Sequence, residues 1–166
     1  MREPIRDKNR LEHILDAIDN IMTYTNGKSA QDLDDDSMLF FAVVKNIEII
    51  GEAVFKLTKS FCEKHEATPW ESIMKMRHVL VHDYYRIKSK EVWIVVTKDL
   101  ELLREQISYY LANDNWDEWN KNEHVIAESA VQKNIVQTAK RMLAMGYELK
   151  EISDITGLAI DEINDL

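Results

Sequence analysis

Apolar side chains recur every three or four residues along most of this chain, which is the period of an amphipathic α-helix. Residues 7–24 show the repeat most clearly, with Leu11, Ile14, Leu15, Ile18, Ile21 and Met22 on one stripe. Further helices are predicted over about 38–64, from Thr68-Pro69 to about residue 84, and from Ser89 onward. No segment shows the alternation of a strand, so the pattern predicts an all-α fold.

Four helices with short connections favour an antiparallel four-helix bundle over residues 1–112. Residues 113–122 are polar apart from two tryptophans, Trp116 and Trp119, and are interpreted as a linker whose tryptophans dock on the bundle or on a partner. Residues 123–166 predict a small helical tail that resembles a helix-turn-helix-like interaction module. The end of this tail is acidic, which favours contact with a protein over contact with DNA.

Two local features refine the helical pattern. Gly51 lies inside the second helix, where glycine costs about 1 kcal/mol relative to alanine, so it is expected to permit close approach of another helix. Residues 31–37 are rich in aspartate and are predicted to form a loop, with Asp36 or Ser37 as the cap of the next helix. A metal site at Asp34–Asp36 is the less favoured interpretation of this run, because consecutive carboxylates usually remain solvated.

The formal net charge of −9 excludes a broad basic surface for nucleic acid. Residues 1–112 hold 16 basic and 19 acidic side chains, whereas residues 113–166 hold 5 and 11, so a local basic site in the first part remains compatible with the charge. The single cysteine, Cys62, cannot form an internal disulfide. Since the sequence has neither an apolar leader nor an apolar run long enough for a membrane, we expect a cytoplasmic protein without membrane contact.

Candidate chemistry is concentrated in one ten-residue segment, residues 77–86. It contains two arginines, two histidines, two tyrosines and an aspartate: Arg77, His78, His82, Asp83, Tyr84, Tyr85 and Arg86. Histidine is suited to act as a general base near neutral pH, and a guanidinium can hold a phosphoryl group through two hydrogen bonds. These groups could therefore cleave a phosphodiester by transfer to the ribose 2′-hydroxyl, with a second histidine or a tyrosine as the acid, and the scheme requires no metal or other cofactor.

The spacing leaves a structural interpretation open beside this catalytic one. Arg77 and His82 point about 140° apart on an ideal helix, so they converge only if the helix unwinds or if two subunits combine their residues. Alternatively, Arg77 pairs with Glu48 or Glu52 inside the bundle and His82 is a core histidine. The residues alone do not decide between these interpretations.

Four stretches resemble the HepT-like branch of the HEPN superfamily, in order and over about residues 6–112. They are Leu11–Leu15, Asn46–Ala53, the pair Pro69-Trp70 leading to Met76-Arg77, and the motif Arg77-x4-His82-x-Tyr84, followed by Val92-Trp93. The resemblance implies a homodimeric helical bundle that cleaves RNA without a metal, with Arg77 and His82 catalytic and with His78 and Tyr84 auxiliary. The tail from residue 113 lies outside the family pattern.

The resemblance also implies a partner and a modification. HepT-like toxins are paired with a minimal nucleotidyltransferase antitoxin, which transfers AMP to the motif tyrosine, here Tyr84. The adjacent Tyr85 leaves open which hydroxyl is used. Because the chain is acidic overall, a narrow site that selects a structured RNA such as tRNA is our hypothesis for the substrate.

Two other functions compete with the nuclease. HEPN-type domains also serve as non-catalytic modules that bind a nucleotidyltransferase or a nucleotide, although the intact Arg77/His82 pair argues against that role here. His78 and His82, four residues apart on a helix, have a spacing that can share one zinc ion. The sequence offers no clear third ligand, so we expect no metal.

Overall fold

The computed structural model describes residues 7–82 and 87–166, and it describes no side chain for residues 81, 82 and 123. All regular elements in these ranges are helices, which confirms the all-α prediction. They are α1 (Asp7–Thr25), α2 (Ala30–Asp35), α3 (Ser37–Phe55), α4 (Lys59–Lys64), α5 (Trp70–His82), α6 (Ser89–Ile94), a π-helical segment (Val95–Asp99), α7 (Leu100–Asn113), α8 (Trp116–Ala144), α9 (Leu149–Thr156) and α10 (Ile160–Asn164). None of the described helices is both long and apolar enough to cross a membrane.

The chain forms two compact units, Met1–Trp116 and Asp117–Leu166. In the first unit α1 packs against α3 and α7, and α3 also packs against α5. The stripe predicted from the sequence forms the core side of α1, where Leu11, Ile14, Ile18 and Ile21 are fully buried. Val43, Ile47, Ile50 and Val54 of α3 pack at the same helical spacing, so the two stripes build the centre of this unit.

A cluster of aromatic side chains forms the part of the core that lies next to α4. Phe61 is fully buried, and the rings of His65, Trp70, Tyr110 and Trp116 lie within 6.0 Å of it. Trp116, at the start of α8, stacks on Phe61 at 5.9 Å and donates a hydrogen bond from Nε1 to the Leu111 carbonyl. The expectation that a tryptophan of residues 113–122 docks on the bundle is thus met by Trp116.

Two predicted boundaries were wrong. Residues 30–35 form α2 instead of a loop, because Ser29 and Asp32 build a capping box in which the Asp32 carboxylate accepts from the Ser29 amide at 2.7 Å. The predicted helix over 38–64 is divided into α3 and α4. In the segment 113–122, α7 ends at Asn113 and α8 begins at Trp116, and its role as a linker stays a prediction.

The division between α3 and α4 depends on a buried carboxylate. Asp7 of α1 is 1% exposed and accepts hydrogen bonds from the Thr58 amide at 2.9 Å and the Thr58 hydroxyl at 2.6 Å. Thr58 in turn caps α4 by accepting from the Phe61 amide. Asp7 therefore fixes the bend between the two helices from a position 51 residues away.

The second unit has a small core of its own. Ala139 and Met142 of α8, Ile152 of α9, Leu158 and Ile163 are buried together. Gly146 and Gly157 have φ of 82° and 74°, left-handed values that glycine adopts without strain and that end α8 and α9. The tail is helical, as predicted, and its role as an interaction module stays a prediction.

We predict that Asp7→Ala lowers the free energy of unfolding by about 1–3 kcal/mol, because the Thr58 amide loses its buried acceptor. Urea denaturation measures the change. Asp16→Ala removes an exposed carboxylate from the same helix and is expected to change stability by less than about 0.5 kcal/mol. Equal effects of the two substitutions would show that Asp7 does not hold the bend.

Candidate functional site

Arg77 of α5 lies directly against Gly51 of α3. A Cβ placed on Gly51 would overlap the Cβ of Arg77 and lie 3.2 Å from its Cγ and 3.4 Å from its Cα. The close helix approach expected at Gly51 is thereby confirmed, and its partner is the candidate catalytic arginine. The backbone of α5 at Arg77 is consequently held against α3.

Three side chains of α3 determine the surroundings of the Arg77 guanidinium. Nη2 lies 2.6 Å from Oε2 of Glu52, and Cζ lies 5.5 Å from the centre of the Phe55 ring. Arg77 and Glu52 therefore form an ion pair, although no N–H of the guanidinium is aligned for a hydrogen bond to Oε2. The other oxygen of Glu52 faces Nζ of Lys56 at 3.3 Å, so one carboxylate contacts two cations.

The pairing with Glu52 does not bury the arginine. The Arg77 side chain keeps 31% of its surface exposed, and that of Glu52 keeps 40%. The structural interpretation required Arg77 to pair with Glu48 or Glu52, and the pair with Glu52 is present, but the Arg77 side chain still reaches solvent. The guanidinium is positioned by α3 and remains accessible to an anion.

The Arg77 side chain borders an open cleft of about 350 Å³ between α1 and α3. The polar groups that line this cleft are Arg10, His13, Lys45, Glu48, Glu52, Lys56 and Arg77. Four of these side chains are formally positive and two are negative, in a chain whose net charge is −9. The local basic site that the charge distribution allowed is therefore centred here.

Of the remaining predicted site residues, the structure describes the side chain of His78 alone. His78 follows Arg77 and is exposed. His82 is the last residue of α5 and its side chain is outside the described residues, as are Tyr84 and Tyr85. The joint geometry of Arg77, His82 and Tyr84 is for this reason a prediction of the sequence alone.

The structure adds residues that the sequence argument did not select. Arg10 and His13 come from α1, and Lys45 and Lys56 come from α3. Their spacing contained a signal, because positions 10 and 13 share one face of α1, and positions 45, 48, 52 and 56 share one face of α3. What the pattern did not reveal is that the two faces border the same cleft.

Cys62 and Asp36 are two further polar groups whose surroundings the structure defines. Burial raises the pKa of the Cys62 thiol, and the carboxylates of Asp7 and Glu63 raise it further, so this thiol is a poor nucleophile near neutral pH. Asp36 is the cap of α3 and accepts from the amides of Met38 and Leu39. Within residues 7–82 and 87–166, no three histidine, cysteine or acidic side chains are grouped as they would be to hold a metal ion.

Comparison with known proteins identifies the family of this chain. The family model described as "Ribonuclease HepT-like" matches residues 14–110. The chain therefore belongs to the ribonuclease HepT-like family, as the resemblance of its motifs indicated. The matched range ends before the second compact unit begins.

Three relatives illustrate the similarity. "Putative RNase TTE0752" of Caldanaerobacter subterraneus subsp. tengcongensis is 36% identical over 104 residues, which cover 63% of this chain and 93% of the relative. "Gamma-glutamylcyclotransferase and putative RNase MJ0434" of Methanocaldococcus jannaschii is 31% identical, with 93% of this chain and 79% of the relative covered, so that alignment extends well past residue 110. "Probable ribonuclease HepT" of Thermococcus cleftensis is 33% identical over 97 residues, or 58% of this chain and 88% of the relative. No solved structure matches the chain.

We predict that Gly51→Ala destabilises the protein by about 1–3 kcal/mol, because the new methyl group overlaps Arg77 and forces α3 and α5 apart. In a helix without such a contact the same substitution would stabilise by about 1 kcal/mol. Urea denaturation measures the change in the free energy of unfolding, and the sign of that change shows whether the close approach is present. A more stable variant would contradict the close approach.

Proposed function

We propose that this chain is a metal-independent endoribonuclease, the toxin of a toxin–antitoxin pair, with Arg77 and His82 as its catalytic residues. The observation that carries the proposal is the Arg77 side chain, which is half-buried and is held by Gly51 and Glu52 at the edge of a basic cleft in an acidic chain. The family and the names of the relatives support RNA as the substrate.

The proposed reaction is a transesterification within the RNA strand. The ribose 2′-oxygen attacks the adjacent phosphorus while His82 accepts its proton. The bond between phosphorus and the 5′-oxygen of the next nucleotide then breaks, and this oxygen takes up a proton, leaving a 2′,3′-cyclic phosphate. His78 or Tyr84 is the proposed source of that proton.

Arg77 has a separate task in this scheme. Negative charge accumulates on the non-bridging oxygens as phosphorus becomes five-coordinate, and a guanidinium can donate to two of them at once. Glu52 keeps the guanidinium oriented before substrate binds. Since Arg77 and His82 diverge by about 140° on an ideal helix, we propose that two subunits bring these residues together in a shared cleft.

Exposed apolar side chains next to Arg77 support a homodimer. Met38, Phe41, Ile49 and Phe55 lie on the solvent-facing side of α3, which also carries the charged residues of the cleft, and Val79 of α5 is also exposed. Phe55 belongs both to this apolar group and to the surroundings of the Arg77 guanidinium. A second copy of the chain that covers this side of α3 would place Arg77 at the boundary between the subunits.

The regulatory part of the proposal rests on the family resemblance. A minimal nucleotidyltransferase antitoxin transfers AMP to Tyr84, with Tyr85 as the alternative acceptor. The added group is a bulky anion two residues from His82, where it would compete with an RNA phosphate. A structured RNA such as tRNA is the proposed target, and the cytoplasm is the proposed compartment.

Cleavage of total tRNA tests the catalytic assignment. We expect the parent protein to cleave it equally with and without EDTA, because no step uses a metal. His82→Ala is expected to lower the rate by about 10²–10⁴-fold and Arg77→Lys, which keeps the charge but loses the paired donors, by at least tenfold.

Product termini and an inactive control make this test specific. The fragments should end in a 2′,3′-cyclic phosphate, detectable by mass spectrometry. If the parent and His82→Ala both leave tRNA intact, the chain is a non-catalytic binding module. If EDTA alone abolishes cleavage, a metal site is required instead.

The dimer is tested by the molar mass in solution. We expect the parent to have twice the chain mass of 19.5 kDa by light scattering, and Phe41→Glu to shift it towards the monomer, because the glutamate would have to be buried without a partner. Tyr109→Glu changes an equally exposed aromatic residue of α7 and should leave the mass unchanged. A monomeric parent would contradict the proposed interface.

A further inference from the structure

Two sets of hydrogen bonds define how α1 and α3 lie beside each other. At one end, Asp7 at the start of α1 accepts from Thr58, which follows α3. At the other end, the Asn20 side-chain amide donates to Oδ1 of Asn46 at 3.3 Å. The start of α1 thus lies beside the end of α3, so the two helices are antiparallel, and the side of α1 that carries Asn20 faces α3.

This register places His13 of α1 opposite Ala53 of α3. His13 lies seven residues before Asn20, and Ala53 lies seven residues after Asn46. Two helical turns therefore put each of them on the same side of its helix as the asparagine of the contact. Ala53 is buried and has a short side chain, whereas His13 is exposed. The His13 imidazole consequently lies at the solvent edge of the contact between α1 and α3.

His13 and Arg77 approach the same part of α3 from two directions. Gly51 faces α5, where Arg77 packs against it, and Ala53 faces α1. Glu52 lies between these two positions, about 100° from each on an ideal helix, and its carboxylate contacts the Arg77 guanidinium. His13, Glu52 and Arg77 all line the cleft of about 350 Å³. A phosphate that Arg77 holds in this cleft would therefore face an imidazole from α1.

Displacement at phosphorus needs a base and an acid on opposite sides. The entering 2′-oxygen and the departing 5′-oxygen lie roughly in line with phosphorus between them, so the two protons are exchanged at separate places. His78 and His82 are four residues apart on α5 and belong to one row of that helix. His13 comes from a different helix, across Glu52 from α5, and this position suits the second proton.

We propose that His13 donates the proton that the departing 5′-oxygen takes up. The inference rests on the proposed ribonuclease function and deepens it, because it assigns the acid to α1 in preference to His78 or Tyr84. The bond between phosphorus and the 5′-oxygen breaks, its electron pair stays on the oxygen, and a proton moves from the His13 imidazolium to that oxygen. His82 has by then accepted the proton of the 2′-hydroxyl. Exchange with water returns both imidazoles to their starting states, since histidine gains and loses protons near neutral pH.

A change of leaving group tests this assignment. The linkage that the parent protein cleaves in tRNA is located from the fragment masses, and the same tRNA is prepared with oxygen or with sulfur at the bridging 5′ position of that linkage. A thiol ionises at about pH 8.5, far below an alcohol, so the sulfur departs without a proton. We expect His13→Ala to cleave the oxygen linkage about 10²–10⁴-fold more slowly than the parent, and the sulfur linkage at a rate close to that of the parent.

Three control variants separate the acid from other roles. His82→Ala and Arg77→Lys should remain impaired on the sulfur linkage, because removal of the 2′ proton and stabilisation of the phosphorane charge are still required. His124→Ala replaces an exposed histidine of α8 and should match the parent on both linkages. Circular dichroism checks that each variant is folded.

The other outcomes overturn the assignment in distinguishable ways. If the parent cleaves tRNA and His13→Ala cleaves it equally fast, or is equally impaired on both linkages, His13 is not the acid and the ribonuclease stands. Rescue of His78→Ala or of Tyr84→Phe by sulfur, without rescue of His13→Ala, assigns the proton to one of those residues. If the parent leaves tRNA intact, the proposed function fails and the role of His13 fails with it.

Discussion

The contact between Gly51 and Arg77 is the constraint on which the rest of the site depends. The absence of a side chain at Gly51 allows the backbone of α5 to approach α3 closely enough that any Cβ would overlap Arg77. This approach brings the guanidinium within reach of Glu52 and over the Phe55 ring. Packing thus restricts a long, flexible side chain at its base, while the charged end remains exposed.

This arrangement reconciles an acidic chain with RNA chemistry. The net charge of −9 repels a polyanion at long range, so affinity must come from a few cations close together. Arg10, Lys45, Lys56 and Arg77 provide such a group around one cleft. Glu48 and Glu52 limit its net charge, which restricts binding to anions that can displace or bypass these carboxylates.

The same helix, α3, combines three roles along its length. Its buried stripe forms the core, and its opposite side carries both the charged residues of the cleft and the exposed apolar residues of the proposed dimer interface. Arg77 lies against that side, because Glu52 and Phe55 both contact it. A subunit boundary at this position would explain how residues that diverge on α5 act on one phosphate.

The sequence by itself determined the helical class, the core stripe of α1, the close approach at Gly51 and the family motif around Arg77. These features are local, since helical periodicity, a glycine and a short motif can each be recognised within a few helical turns of sequence. Helix caps were harder to predict from the sequence. α2 was missed because its aspartates are typical of a loop, whereas one of them completes the capping box with Ser29. Only the tertiary structure decided that Gly51 packs against α5, that Asp7 holds the start of α4 through Thr58 from 51 residues away, and that α1 and α3 combine their cations in one cleft. Those outcomes depend on how separate helices pack, and a periodic pattern specifies which face of a helix is buried without specifying its neighbour.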